Sequence, residues 1–217
     1  MIIALNFKAF RETIGKNALN VIDEVKSVAN ENTIFIINPS DISLISENFR
    51  ERKFKIFTSL TFAIKNFGAF TGKIPLEFLK EEKIDGILIN HSENRIKKEE
   101  IKKFVEYSKE LNLETMVCVK DLREAKIVDK FLPTYIAYED PELIGTGIPI
   151  SKFRSENVRI FAKSIKSIPI CGAGISNKDD VIAAKELGTK GVLIASAFAK
   201  SSNKREFLRE LLEVWEY

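Results

Sequence analysis

Residues 167–196, SIPICGAGISNKDDVIAAKELGTKGVLIAS, contain two short apolar runs joined by a segment whose apolar residues have helical spacing. The runs SIPICG and GVLIAS are as long as strands and do not alternate between polar and apolar residues. That pattern is typical of parallel strands buried on both faces. Ser176 is a candidate N-cap for the intervening helix, and Gly188 is a candidate helix-ending glycine. The stretch therefore predicts a strand, a helix and a second parallel strand.

The same pattern recurs along the whole chain. The apolar runs are IIALNF, TIFIIN (33–38), FKIFTSL (54–60), DGILIN (85–90), ETMVCV (114–119), TYIAYE (134–139), SIPICG (167–172) and GVLIAS (191–196). Between them lie helix-like segments such as KNALNVIDEVKSVANE, EEIKKFVEYSKELN, SENVRIFAKSIK and KREFLRELLEVW, with IPLEFLKEE as a short helix in the third unit. Eight units at a spacing of about 27 residues predict a closed parallel (β/α)8 barrel, with residues 1–217 as a single domain.

A doubly wound open sheet is the structural alternative. No glycine-rich dinucleotide-binding fingerprint follows the first strand, which favours the barrel.

Composition excludes several classes of protein. The chain has 217 residues, 45% of them hydrophobic and 30% charged, which suits one globular domain. Its 34 Lys and Arg residues are dispersed among 31 Asp and Glu residues, so nucleic-acid binding is not indicated. No apolar stretch reaches the roughly 20 residues of a membrane span, and the N-terminus does not resemble a signal peptide. We predict a cytoplasmic protein with no membrane partner.

The two cysteines do not indicate a metal site or a disulfide. Cys118 and Cys171 each lie inside an apolar run, and neither has a second Cys or His at metal-ligand spacing. Both are predicted to be buried, reduced thiols.

Chemistry in such a barrel collects where the strands end. Glu139 follows the apolar run YIAY, and Lys8 stands at an otherwise apolar strand end, where an unpaired buried charge would be costly. His91, the only histidine, follows GILIN and precedes SENRIKKEEIKKF. We expect it near a helix N-terminus, which favours a neutral ring that can donate a hydrogen bond. A lone histidine is otherwise more often a surface or core residue.

Small residues follow the last three strands, where barrels bind phosphate through backbone N–H groups. These residues are Gly145, Gly147, Gly172, Gly174, Ala195 and Ser196. A base, a neutral hydrogen-bond donor, a cation and an anion cradle on one rim predict proton abstraction beside the carbonyl of a small phosphorylated substrate.

Several motifs together resemble the triosephosphate isomerase family, in its archaeal-type branch. They are NFK (6–8), GAFTG (68–72), INHSENR (89–95), ELIGTG (142–147), CGAGIS (171–176) and GVLIAS (191–196). The resemblance runs almost end to end. It implies the TIM-barrel fold and interconversion of dihydroxyacetone phosphate and D-glyceraldehyde 3-phosphate, without a metal or an organic cofactor.

The resemblance also assigns residue roles. Glu139 would be the base, His91 the electrophile, and Lys8 the cation that helps to bind phosphate and to stabilise the enediolate. Glu93 would support Lys8 or the start of the following helix. The residues that would bind substrate are Asn6, Lys8, Ile144, Gly145, Gly172, Gly174, Ala195 and Ser196. The segment after Glu139 would be a lid, and the loop around Thr71 would join copies of the chain into a dimer or tetramer.

The chain departs from the family pattern at three places. At one of them, Asn94 replaces an Arg that is common after the site Glu, which removes an expected ion pair. The family usually has Pro directly after the catalytic Glu, whereas here Asp140 precedes Pro141. It usually has Gln with Asn or His after the third strand, whereas here Leu60 and Thr61 follow. Two other readings therefore stay open: another phosphate-binding barrel enzyme, such as an aldolase or a synthase, and a barrel that has lost activity and serves as a binding or structural protein.

Overall fold

A computed structural model of the protein describes residues 1–139 and 154–215, which form a closed barrel of parallel strands. The strands are β1 Ile2–Asn6, β2 Thr33–Ile37, β3 Lys55–Ser59, β4 Gly86–Ile89, β5 Glu114–Val119, β6 Tyr135–Tyr138, β7 Ile168–Gly172 and β8 Gly191–Ile194. Each strand pairs with its neighbours in the chain, and β8 pairs with β1. Ile3 accordingly faces Thr33 of β2 on one side and Val192 of β8 on the other. Closure confirms the (β/α)8 barrel and excludes the open sheet.

Helices cover the outside of the barrel. The α-helices of the described part are Lys16–Val25, Ile42–Asn48, Leu76–Glu81, Lys98–Leu111, Leu122–Asp129, Ser155–Ser164, Lys178–Glu186, Ser196–Ala199 and Lys204–Leu212. Short 3-10 turns occur at Arg11–Thr13, Pro39–Asp41 and Glu213–Trp215. The third unit has the short helix that was predicted. None of the helices described here has both the length and the apolar content to cross a membrane.

Strand residues alternate between two apolar cores. In β1, Ala4 belongs to the core inside the barrel, and Ile3 and Leu5 belong to the core between the strands and the helices. Because both faces of each strand are covered, the strands are rich in apolar residues. Cys118 and Cys171 are free and buried, as predicted.

The helix Lys178–Glu186 corrects one predicted cap. Asn177, not Ser176, is the N-cap, because its side chain accepts a hydrogen bond from the backbone N–H of Asp180. Ser176 instead donates its hydroxyl to the Asp180 carboxylate at 3.0 Å. Gly188 does follow the end of this helix with a φ of +95°, a left-handed conformation that glycine adopts without a Cβ penalty.

Candidate active site

A cavity of about 660 Å³ opens at the carboxyl ends of the strands. Its lining comes from the segments that follow β1, β4, β6, β7 and β8, and it includes Lys8, His91 and Glu139. These three side chains were predicted to lie together, and in the folded chain they do. A smaller adjoining cavity of about 250 Å³ shares Lys8 and His91 and is also lined by Leu60.

Lys8 is held by contacts on both its backbone and its side chain. Its backbone has a φ of +49°, an uncommon conformation for a lysine, and its N–H donates to the Asn6 side chain at 3.1 Å. Its Nζ lies 2.7 Å from Oε1 of Glu93. The lysine side chain is 16% exposed and the glutamate side chain 58% exposed, so the pair lies at the edge of the cavity. Asn6 and Glu93 thus both contact Lys8 directly.

His91 is oriented by a turn and not by a helix. The following helix begins at Lys98, so the predicted helix N-terminus beside the imidazole is wrong. The backbone N–H of Glu93 donates to Nδ1 at 3.2 Å, within a turn closed by the N–H of Asn94 and the carbonyl of His91. Since Nδ1 accepts this bond, the proton of the neutral ring lies on Nε2, which is the atom that faces Glu139.

Glu139 is buried, yet its carboxylate keeps one oxygen without a hydrogen-bond partner in the described part of the chain. Oε1 lies 3.6 Å from Nε2 of His91. Burial raises the pKa of the carboxyl, but the His91 imidazole, the Cys118 thiol and the Lys8 ammonium together outweigh burial and hold that pKa below its ordinary value. The group is therefore a carboxylate at neutral pH and can accept a proton.

Gly172 packs beneath Glu139. A Cβ at position 172 would lie 2.6 Å from Cγ of Glu139, closer than nonbonded carbons approach. Gly172 does not line the main cavity. The fold therefore places Gly172 against the side chain of Glu139 and not against a bound molecule. The absence of a side chain here leaves the space that the carboxylate occupies.

The predicted phosphate-binding residues fall into two groups. Gly174, Ala195 and Ser196 line the cavity, beyond the ends of β7 and β8. Ala173 and Gly174 both have positive φ values, so the chain turns sharply after β7. Ile144 and Gly145, together with Asp140, lie outside the described residues.

A polar network behind His91 was not predicted. Asn90 has a φ of +58° and is buried. Its side-chain amide donates to the Cys118 carbonyl at 2.8 Å and to the Glu124 carboxylate at 3.1 Å, and it accepts from the N–H of Ile96. Arg95 donates to the Asn90 carbonyl at 2.9 Å. The network ties the end of β4 to β5, and only the position of Asn90 after an apolar run indicated it in advance.

Leu60 and Thr61 begin a loop that is anchored to the same chain. The N–H of Ala63 donates to the Glu100 carboxylate at 3.2 Å, and the N–H of Phe67 donates to the Glu77 carboxylate at 3.1 Å. The departure from the family pattern at Leu60 and Thr61 therefore does not leave the loop without contacts. The loop exposes three phenylalanines, Phe62, Phe67 and Phe70.

Known proteins resemble this chain over almost its whole length. The model of the family described as "Triosephosphate isomerase" matches residues 1–213. A triosephosphate isomerase of Methanocaldococcus jannaschii is 39% identical over 221 residues, which cover 98% of this chain and 99% of that protein. One of Methanobrevibacter smithii is 38% identical and covers 97% of both chains.

A solved structure shares the fold. The crystal structure of triosephosphate isomerase from Bartonella henselae superimposes with a TM-score of 0.72 at 17% identity, over 100% of this chain and 99% of that one. The family match and the archaeal relatives show that this chain belongs to the triosephosphate isomerase family.

Proposed function

We propose that this chain interconverts dihydroxyacetone phosphate and D-glyceraldehyde 3-phosphate, with Glu139 as the base. One observation carries the proposal. Nε2 of His91 lies 3.6 Å from Oε1 of Glu139, and both residues line the same cavity as Lys8. A proton acceptor and a hydrogen-bond donor so close together can act on adjacent atoms of a single small substrate.

Proton abstraction begins the reaction. The Glu139 carboxylate removes a proton from the carbon beside the substrate carbonyl, and the electrons of the broken C–H bond form the C=C bond of an enediolate. Negative charge develops on the former carbonyl oxygen. The depressed pKa of Glu139 keeps the base ionised for this step, while its unpaired oxygen carries no hydrogen bond that would have to break.

His91 and Lys8 stabilise the charge that develops. The Nε2–H of His91 donates to the enediolate oxygens, since Nδ1 is already occupied by the Glu93 N–H. The Lys8 ammonium is held at the edge of the cavity by Glu93 and by its strained backbone, so it is oriented before substrate arrives.

Return of the proton completes the isomerisation. The Glu139 carboxylic acid delivers its proton to the neighbouring carbon, and a proton moves between the two oxygens. Substrate and product have the same composition, so no electrons leave the substrate. The absence of a metal and of an organic cofactor stays a prediction from the sequence, as does the cytoplasmic location.

The aldolase alternative is not supported by the strands. A Schiff-base aldolase needs a lysine inside a strand facing the active site. In the described strands, lysine occurs at Lys55, which begins β3 at the opposite end of the barrel and lies 2.7 Å from Glu114.

The alternative of a barrel that has lost activity is tested by direct assay. Purified protein should convert D-glyceraldehyde 3-phosphate to dihydroxyacetone phosphate, measured by coupled NADH oxidation, and no turnover would reject the proposal.

We also propose that the chain forms a homo-oligomer through the loop of residues 61–73, which contains Thr71. Phe62 and Phe67 are each 52% exposed and Phe70 is 43% exposed. Three large apolar side chains exposed in one short loop are more than scattered surface residues require. Burial against a second copy of the chain removes them from water.

A further inference from the structure

We propose that Lys200 contacts the phosphate dianion of the substrate and offsets the negative charge that the side chains lining the cavity would otherwise present to it. This inference rests on the proposed function, because it concerns the same substrate. Lys200 lines the cavity together with Gly174, Ala195 and Ser196. It was not among the residues predicted from the sequence.

The charges that line the cavity require a further cation. Among the described residues that line it, the charged side chains are Lys8, Glu93, Glu139 and Lys200. Lys8 is ion-paired with Glu93 at 2.7 Å, and the depressed pKa of Glu139 keeps that group negative. Without Lys200 the carboxylates would outnumber the cations among these described residues, and they would repel a doubly negative substrate. With Lys200, these residues carry two positive and two negative charges.

The position of Lys200 brings its ammonium to the phosphate-binding loops. Its backbone N–H donates to the Ser196 carbonyl at 3.0 Å, so it stands one helical turn after Ser196. Side chains on a helical turn lean towards the N-terminus, which directs Lys200 back over that residue. Its Nζ lies 5.9 Å from the ring centroid of Phe10, which follows β1 and also lines the cavity. The ammonium therefore lies between the loops after β8 and β1.

Lys200 is available to an incoming anion. The residue is exposed, and across residues 1–139 and 154–215 no carboxylate lies within ion-pair distance of its Nζ. Lys8, by contrast, would have to share its charge between Glu93 and the phosphate. An exposed cation binds an anion modestly, in a manner that salt screens. A merely solvated lysine would make no distinction between phosphorylated and unphosphorylated substrates.

The test compares Lys200→Gln and Lys200→Arg with Lys163→Gln. Lys163 is exposed in the last turn of the helix Ser155–Ser164, so its substitution makes the same charge change away from the cavity. Binding of inorganic phosphate and of phosphoglycolate is measured by calorimetric titration at low and high salt. Thermal melting checks that each variant is folded.

We expect Lys200→Gln to weaken both ligands by about 5-fold at low salt and by less than about 2-fold at high salt. Lys200→Arg and Lys163→Gln should match the wild type. kcat/KM for D-glyceraldehyde 3-phosphate should fall by a similar factor in Lys200→Gln, whereas the rate with unphosphorylated glyceraldehyde should not change.

The outcomes separate this inference from the proposed reaction. If the wild type turns over substrate and Lys200→Gln binds both anions as tightly as the wild type, Lys200 has no such role. If Lys200→Gln loses as much activity with unphosphorylated glyceraldehyde as with D-glyceraldehyde 3-phosphate, the inference is also overturned. If the wild type binds phosphate through Lys200 but has no turnover, the phosphate contact stands and the isomerase proposal fails.

Discussion

Nε2 of His91 and Oε1 of Glu139 lie 3.6 Å apart, although the two residues follow strands that are not neighbours in the barrel. β5 runs between β4 and β6, and its Cys118 lies inside the barrel opposite Ala137 of β6. The curvature of the closed barrel brings the two side chains together across the end of β5. A pair positioned by rigid strands is held more accurately than one positioned by loops alone.

His91→Gln should lower kcat far more than it changes KM. The imidazole is proposed to act on charge that develops in the transition state. A glutamine amide can donate from about the position of Nε2, but it lacks the Nδ1 acceptor through which the Glu93 N–H orients the ring. We expect kcat to fall by roughly 100-fold, with KM within about 3-fold. Steady-state kinetics checks this. A raised KM with unchanged kcat would make His91 a residue for ground-state binding.

Gly172→Ala should disturb the carboxylate of Glu139. The added Cβ would meet Cγ of Glu139 at 2.6 Å, so the glutamate must move. We expect kcat to fall by about 10-fold or more, because a displaced base reacts poorly.

A double-mutant cycle isolates that contact. The free energy of unfolding should fall by about 1–3 kcal/mol on Gly172→Ala, but by clearly less in a Glu139→Ala background, where Cγ is absent. Denaturant titration of the four proteins gives the values. Equal losses in both backgrounds would show that Glu139 does not limit the space at position 172.

The stability of the protein should depend on the ionisation of Glu139. Its pKa in the folded chain lies below the ordinary value of 4.5. The ionised group therefore contributes stability that is complete above pH 4.5 and is lost as the pH falls through the folded-state pKa. The difference in unfolding free energy between the wild type and Glu139→Gln should be constant near neutral pH and should shift against the wild type in acid. A shift towards the wild type in acid would mean that burial dominates.

Removal of exposed phenylalanines should weaken self-association. Phe67→Ser combined with Phe70→Ser should lower the mass measured by sedimentation velocity, because less apolar surface is buried between copies. Ile160→Ser is the matched control, since Ile160 is 41% exposed on the helix Ser155–Ser164. A wild type that sediments as a monomer would reject the proposed assembly.

The pattern of apolar residues was sufficient to predict the barrel. Each strand is covered on both faces, so the strands read as separate apolar runs, and a strand such as TIFII is buried at every position. The ends of the strands and helices were predicted less accurately. The run TYIAYE included Glu139, but β6 ends at Tyr138, and Asn177 replaces Ser176 as a cap. A difference of one residue at a strand or helix end leaves no trace in hydrophobic periodicity.

Contacts between side chains on different strands could not be predicted from the pattern. The bond from Asn90 to the Cys118 carbonyl depends on the register of β4 against β5 and on the left-handed backbone at Asn90. The turn that orients His91 has the composition of a helix start, yet the helix begins at Lys98. Lys200 was missed because its relation to Ser196 depends on a short helix after β8.

Glu139→Asp tests the central claim most directly. The substitution keeps the charge but withdraws the carboxylate by one methylene, about 1 Å, from the carbon that loses its proton. The kinetics of wild type and variant are measured with D-glyceraldehyde 3-phosphate, and phosphoglycolate titration checks that the cavity is intact. We predict that the wild type turns over and that kcat of the variant is lower by roughly 100-fold, while phosphoglycolate affinity changes little. Full kcat in Glu139→Asp would contradict Glu139 as the base.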